Sequence, residues 1–160
     1  AGPYIDIILF SDDLGMQTGP QISPRTYREF FQPRQKLMWG ESKRLADAKI
    51  MLHSCGGIYP LLPGLIAAGL EILQPVQTTC KDMEPERLKR EFGKDLCFWG
   101  GGSNTRDILG LASPEQVAAD VRQRVALFAP GGGFVFQQIH NVMADVSPEN
   151  IVAMLQAVNA

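Results

Sequence analysis

The segment that organises this chain reads Ile50-Met51-Leu52-His53-Ser54-Cys55-Gly56-Gly57. Its apolar start indicates a buried strand, and a histidine and a cysteine follow two positions apart. Residues i and i+2 of an extended chain point to the same side, so the imidazole and the thiol leave the strand end together. Both groups are zinc ligands in tetrahedral protein sites. They supply only half of such a site, so further ligands have to come from elsewhere in the chain.

The same two residues also fit a structural role. A cysteine near a strand end is more often a small buried hydrophobic residue than a ligand. A lone histidine is more often a hydrogen-bonded structural group. The spacing alone therefore leaves both a metal site and ordinary packing open.

Length and composition predict one soluble domain over residues 1–160, because 45% of the residues are hydrophobic. The net charge is −2 and the basic residues are not clustered, which argues against nucleic-acid binding. No apolar run approaches the roughly 18 residues of a membrane span. The three cysteines form no dense framework and no secretory signal is visible, so we expect a reducing cytoplasm.

Apolar segments rich in β-branched and aromatic residues are predicted to be strands, and polar, periodic segments between them to be helices. The predicted strands cover residues 5–10, 50–52, 70–73, 96–99 and 133–136. Ser-Pro pairs at 23–24, 113–114 and 147–148 are typical helix starts. In the first helix, Pro33 and Gly40 are expected to bend or break the structure.

Regular alternation of strand and helix predicts an α/β fold with a parallel sheet. Each of the five units takes about 32 residues, which is the quota of a (β/α)₈ barrel of about 250 residues. We therefore predict the C-terminal portion of a TIM barrel, without the N-terminal strands. Polar residues just after strands would then lie at the catalytic face of the barrel. These are Asp12, Asp13, His53, Cys55, Gln74, Gln77, the glycines from Gly100 to Gly102, and His140.

The order and spacing of these motifs resemble the C-terminal part of the uroporphyrinogen decarboxylase superfamily. Within it, the chain is most similar to methyltransferase-type members that act on methylated corrinoids. The markers are residues 11–15 (SDDLG), 53–56 (HSCG), 73–77 (LQPVQ), 88–93 (LKREFG), 98–102 (FWGGG) and 130–136 (PGGGFVF), followed by His140-Asn141.

The resemblance implies a zinc site. In zinc-dependent members, a His-x-Cys element and a later cysteine bind a zinc that activates a thiol, and the thiolate takes a methyl group from methyl-cobalamin. His53 and Cys55 match the first two ligands, and His140 holds the place of the later cysteine. Zinc is thus the expected cofactor, with corrinoid as a substrate or as the cofactor of a partner protein. Two imidazoles and one thiolate would leave the metal a stronger Lewis acid than two thiolates.

The remaining site residues are predicted from their position in the expected fold. Asp13 is a candidate catalytic carboxylate and Asp12 a candidate substrate contact, although neighbouring residues of an extended segment face opposite ways. Gln77, Asn104 and Arg106 are further candidate substrate contacts. Relatives often have Asp-Thr-Gln near Asn104, which cannot serve as a carboxylate base.

Three functions remain open on the sequence. The first is zinc-dependent methyl transfer from a methyl-corrinoid to a small thiol-type acceptor. The second is a cofactor-free decarboxylase of tetrapyrrole acetates, for which Arg106 is the candidate cation. The third is a non-catalytic half-barrel that self-associates. Long apolar strands at both sheet edges also predict a homo-oligomer.

Overall fold

The chain alternates strands and helices throughout the computed structural model, which describes residues 2–159. The strands are β1 (Ile7–Ser11), β2 (Gly15–Met16), β3 (Gly19–Pro20), β4 (Lys49–His53), β5 (Ile72–Gln74), β6 (Cys97–Trp99) and β7 (Phe134–Val135). The α-helices are α1 (Pro24–Thr26), α2 (Gln32–Leu45), α3 (Leu62–Ala68), α4 (Pro85–Phe92), α5 (Pro114–Phe128) and α6 (Pro148–Val158). A π-helical turn, Tyr27–Phe31, joins α1 to α2, and short 3₁₀ turns cover Gly2–Tyr4 and Tyr59–Leu61.

Five strands form one sheet in the order β1-β4-β5-β6-β7, and every neighbouring pair is parallel. The strands follow one another in chain order, as they do around a TIM barrel. The α/β prediction and the five-unit portion of a TIM-barrel-like fold are therefore confirmed. The strands β2 and β3 form a separate small hairpin in the loop after β1.

Helices cover one face of this sheet. Phe10 contacts Trp39 of α2, and Phe98 contacts Phe128 of α5, with ring centroids 6.0 and 5.3 Å apart. Trp39, Phe98 and Phe128 are completely buried. Because side chains alternate along a strand, the strand neighbours of Phe10 and Phe98 point to the opposite face of the sheet. Residues 9, 53, 74 and 99 therefore share that opposite face, which corresponds to the inside of a barrel.

The inner face is bare at its first strand, where the side chain of Leu9 is 57% exposed. Further along the sheet, Met51 is only 6% exposed.

None of the helices in residues 2–159 combines the length and the apolar character that crossing a membrane requires.

The predicted helix starts are confirmed by their caps. Ser23 Oγ accepts a hydrogen bond from Thr26 N at 3.0 Å, and Ser147 Oγ accepts one from Asn150 N at 3.2 Å. Ser113 and Gln116 form a reciprocal capping box. These bonds satisfy amide groups that have no partner within the helix.

The sequence predicted that Pro33 and Gly40 bend or break the first helix. A π-helical turn does interrupt the α-helix just before Pro33, whereas Gly40 does not break α2. Pro33 lies in the first turn of α2, directly after the π-helical turn, where it needs no helical donor. Gly40 is exposed and α2 continues through it to Leu45. A mid-helix glycine costs only about 1 kcal/mol relative to alanine, which is too little to break a helix packed through Trp39.

The loops after β1 and β4 touch through two glycines. A Cβ atom on Gly15 would lie 2.6 Å from Cys55 O, and one on Gly56 would overlap the carbonyl carbon of Gly15. Gly56 also has a φ of 90°, which side-chain-bearing residues rarely adopt. Around the contact, Leu14 N donates to Ser54 Oγ at 3.0 Å and Gly57 N to Met16 O at 2.9 Å.

We expect Gly15→Ala and Gly56→Ala each to lower the free energy of unfolding by about 2 kcal/mol or more, because the new methyl group meets backbone that cannot rotate away. Urea denaturation measures this change. Gly40→Ala is the matched control: nothing lies within 4 Å of its Cβ position, and it should gain about 1 kcal/mol of helix propensity. Equal stability of all three variants would contradict the role given to the glycine contact.

Candidate active site

Asp13, His53 and Cys55 bring three different ligand atoms together at the carboxyl ends of β1 and β4. One ligand atom from each lies within 4.8 Å of the other two. His53 Nε2 is 3.6 Å from Cys55 Sγ and 3.8 Å from Asp13 Oδ1. His53 is the last residue of β4 and Cys55 follows two positions later, as the His-x-Cys pattern predicted.

These separations fit a shared metal ion. Zinc lies about 2.0–2.1 Å from a histidine nitrogen and about 2.3 Å from a cysteine sulfur, so a tetrahedral site separates the two donors by about 3.6 Å. The observed distance from His53 Nε2 to Cys55 Sγ matches this value. Asp13 adds a carboxylate, which zinc also accepts. The three residues would therefore fit zinc as three of its ligands.

Cys55 is held as a neutral thiol by its surroundings. Burial raises the pKa of the Cys55 thiol above its ordinary value, and the charge of Asp13 and a hydrogen bond to it raise the pKa further. The same carboxylate fixes the backbone, because Cys55 N donates to Asp13 Oδ1 at 2.9 Å. A thiolate at this position therefore needs a cation beside it.

His53 is anchored by a glutamine on the next strand. His53 Nδ1 lies 2.6 Å from Gln74 Oε1, and Gln74 Nε2 donates to Gln137 Oε1 at 3.2 Å. His53 and Gln74 are register partners on β4 and β5, so both side chains point to the inner face. Asp13, His53, Gln74 and Gln137 thus form a polar row that crosses the sheet from the loop after β1 to the loop after β7.

Two small cavities flank the cluster. One, of about 280 Å³, is lined by Cys55, Gln77 and His140, together with Gly15, Met16, Gln17 and Gly56. The other, of about 150 Å³, is lined by His53, Gln74 and His140, together with Pro75, Gln137, Ile139 and Asn141. His140 borders both cavities, but the ligand group found within residues 2–159 contains Asp13 rather than His140. The predicted third ligand is thus near the site without being part of the cluster.

Asp12 and Asp13 diverge, as expected for neighbours in an extended segment. Asp12 points away from the cluster, where Gln35 Nε2 donates to its Oδ2 at 3.2 Å. Tyr27 Oη in turn donates to Gln35 Oε1 at 2.7 Å. Burial, and then the charge of Asp12, raises the pKa of the Tyr27 phenol above its usual range. This arrangement ties the loop after β1 to the helical layer.

Gln77 and Asn104 both hold backbone in place. Gln77 Oε1 accepts a hydrogen bond from Gly56 N at 2.7 Å, next to Cys55. Asn104 Oδ1 accepts from the amides of Arg106 and Asp107, at 3.0 and 3.1 Å, which is a turn-capping arrangement. Gln77 also lines the larger cavity, so it keeps its predicted place beside the site.

Arg106 and Cys80 lie near one another beyond the cluster. Burial raises the pKa of the Cys80 thiol, the charge of Cys55 raises it further, and the charge of Arg106 lowers it. Cys80 is 5% exposed and its Sγ donates to Gln17 Oε1 at 3.4 Å. Arg106 remains 65% exposed in its side chain. Its Nε lies 3.9 Å from Asp107 Oδ1, and its charge acts on Cys80 in the loop after β5.

Sequence reasoning missed the supporting roles of Gln74, Gln137, Gln35 and Ser54. Gln74 and Gln137 carried a usable signal, because each follows an apolar strand at the face where active sites form. Gln35 carried none, because a glutamine in the first turn of a helix is usually exposed to solvent. It is nevertheless only 4% exposed.

The parallel sheet and its helices define a partial TIM-barrel-like fold. Its polar side chains converge at the carboxyl ends of the strands, which is where active sites of TIM barrels form. A family model described as "Uroporphyrinogen decarboxylase (URO-D)" matches residues 5–160. The chain belongs to this family, and the resemblance predicted from its motifs is confirmed.

The two proteins that this chain resembles are much longer than the chain itself. The chain is 30% identical to the uroporphyrinogen decarboxylase of Serratia proteamaculans (strain 568) over 145 residues, which is 89% of this chain and 39% of that protein. A solved structure, a methyltransferase from Methanosarcina mazei, superposes with a TM-score of 0.70 at 18% identity. It matches 96% of this chain, which covers 42% of that structure. The chain thus spans about two fifths of the length of each.

We expect Asp13→Asn to lower the pKa of the Cys55 thiol in the metal-free protein, because the substitution removes the negative charge that opposes the thiolate. The pH dependence of alkylation by iodoacetamide, followed on the peptide that contains Cys55, measures this shift. Asp12→Asn is the matched control, since the Asp12 side chain binds Gln35 instead. A Cys55 profile that moves equally in both variants would contradict the specific effect of Asp13.

Proposed function

We propose that this protein is a zinc-dependent methyltransferase that moves a methyl group from a methyl-corrinoid to a small thiol. One observation carries the proposal: Asp13, His53 and Cys55 place oxygen, nitrogen and sulfur donors within 4.8 Å at the mouth of a barrel-type sheet. The similar solved structure is itself described as a methyltransferase. Bound zinc would lower the pKa of a coordinated thiol and hold it as a thiolate.

The residues of the chain divide the work. His53 and Cys55 bind the metal, and Asp13 is the third ligand in our proposal. The cavity beside Cys55 is large enough for a small thiol, with Gln77 and His140 at its wall. His140 is then placed to contact the acceptor or to take the fourth metal position. A corrinoid is far larger than either cavity and would lie across the open mouth, free or held by a partner protein.

Charge balance in the transfer follows from the chemistry of the two reactants. The thiolate sulfur attacks the methyl carbon, and the S–C bond forms as the Co–C bond breaks. The electron pair of the broken bond stays on cobalt, and the acceptor's proton has already left for solvent. Partial burial and the charge of Asp13 raise the pKa of the Cys55 thiol, which supports a role for Cys55 as the ligand of a cation.

We expect the purified protein to hold one zinc per chain and Cys55→Ser to lose it. Loss of an outer-shell partner already costs roughly 10–100-fold in metal affinity, so loss of a ligand should cost more. Elemental analysis of protein prepared without chelators or a histidine tag measures the metal. Zinc far below one per chain, or unchanged zinc in Cys55→Ser, would refute the site.

Cys97→Ala is the matched control for this experiment. Cys97 begins β6 and is partly buried on the inner face of the sheet, outside the ligand group. A smaller apolar residue there should cost little stability. We expect both zinc and methyl transfer to survive Cys97→Ala. Loss of activity with the fold intact would mean that the wrong cysteine has been assigned.

A decarboxylase of tetrapyrrole acetates is the second candidate, favoured by the relative from Serratia proteamaculans and by the exposed guanidinium of Arg106. A chelator separates the two functions. Methyl transfer should stop when zinc is removed, whereas a cofactor-free decarboxylase should be unaffected. Arg106→Gln should impair only the decarboxylase, because it removes the cation that would hold the substrate's carboxylates.

Self-association is the third candidate, favoured by the exposed Leu9 on the edge strand β1. We expect a homo-oligomer in which a second copy covers this part of the inner face, and Leu9→Lys to shift it toward monomer, because an edge-strand lysine opposes pairing. Light scattering at micromolar concentration measures the assembly. A stable wild-type monomer would exclude this role.

A further inference from the structure

We propose that Gln74 is a positioning residue that holds the His53 proton on Nδ1 and so presents the lone pair of Nε2 to Cys55 and Asp13. Only the use of Nε2 as a metal ligand rests on the function proposed above. The tautomer itself is a property of the metal-free chain.

The first step of the argument is the donor and acceptor balance. His53 Nδ1 and Gln74 Oε1 are 2.6 Å apart, which is a short and direct hydrogen bond. An amide oxygen can only accept, so Nδ1 has to carry the proton. In a neutral imidazole the other nitrogen, Nε2, then has a free lone pair.

The second step is what fixes the orientation of the Gln74 amide. Its nitrogen donates to Gln137 Oε1 at 3.2 Å, so its oxygen is the end that faces His53. Gln137 follows β7, two strands away from β5 across the sheet. With Gln137 Oε1 facing it, the opposite orientation of the Gln74 amide would bring two amide oxygens together and lose this hydrogen bond. It would also force the His53 proton onto Nε2.

The third step is the rigidity of the pair. His53 and Gln74 are register partners at the ends of neighbouring parallel strands. Directly after them, Ser54 N donates to Gln74 O at 2.8 Å. The two side chains are therefore held side by side by backbone that the sheet has already fixed.

The fourth step is the other side of the imidazole. Nε2 lies 3.6 Å from Cys55 Sγ, within the distance of a hydrogen bond that involves sulfur. A thiol S–H that turns from Asp13 toward the imidazole can donate to an Nε2 lone pair. An Nε2–H would instead face a protonated thiol and a carboxylate oxygen 3.8 Å away, which is beyond hydrogen-bond distance.

The test is long-range ¹H–¹⁵N correlation NMR on the metal-free protein at about pH 8.5, well above the ordinary histidine pKa of roughly 6.5. This chain has two histidines, and the spectrum of His140→Gln assigns the signals of His53. We expect the Nδ1–H pattern for His53. An Nε2–H pattern in the wild-type protein would overturn the proposal, with no variant required.

Three variants extend the test. Gln74→Leu should move the His53 proton to Nε2 and weaken zinc or Co²⁺ binding by roughly 10–100-fold, the usual cost of losing a partner of a ligating histidine. Gln74→Glu should restore the Nδ1–H pattern and the affinity, because a carboxylate also accepts from Nδ1. Gln77→Leu is the matched control: Gln77 binds Gly56 N and should leave the tautomer unchanged.

The outcomes separate this inference from the proposed function. An Nδ1–H pattern that persists in Gln74→Leu would refute the role of Gln74. A protein that binds no zinc, yet shows the Nδ1–H pattern and loses it in Gln74→Leu, would refute the metal site and leave the role of Gln74 standing.

Discussion

The site depends on the backbone contact between Gly15 and Gly56. No side chain separates the two loops there, so the loop after β1 lies directly on the loop after β4. This contact brings Asp13 to Cys55 from a part of the chain 42 residues earlier. With any larger residue at either position the loops would move apart, and the carboxylate would leave the imidazole and the thiol.

The charges around Cys55 suit the metal site proposed for this cluster. Burial and the nearby carboxylate keep the Cys55 thiol protonated, and the same carboxylate is a ligand that a metal would use. A bound metal reverses the balance, because its charge offsets both the desolvation of the thiolate and the repulsion by Asp13. The unfavourable charges in the metal-free site thus become favourable ones in a loaded site.

The inner face of the sheet carries the chemistry, and the helical face carries the packing. Trp39, Phe98 and Phe128 fill the helical side completely. On the inner side, the polar row from Asp13 to Gln137 lies at the strand ends, and the apolar residues below it are covered unevenly. Asp12 belongs to the helical side, because it accepts a hydrogen bond from Gln35, which in turn accepts one from Tyr27. Its predicted place as a substrate contact remains a prediction.

The sequence by itself determined the order of strands and helices, the helix starts at Ser23, Ser113 and Ser147, and the pairing of His53 with Cys55. Each of these follows from local rules: apolar runs, capping side chains and the two-residue period of a strand. Only the tertiary structure placed Asp13 beside His53 and Cys55, with one ligand atom of each within 4.8 Å of the others, while the role of His140 as a ligand stays a prediction. It also decided that Gln74 supports His53 and that Gly40 does not interrupt α2. Those outcomes depend on contacts between residues far apart in the chain and on packing that outweighs local propensity, and neither is encoded in any short segment.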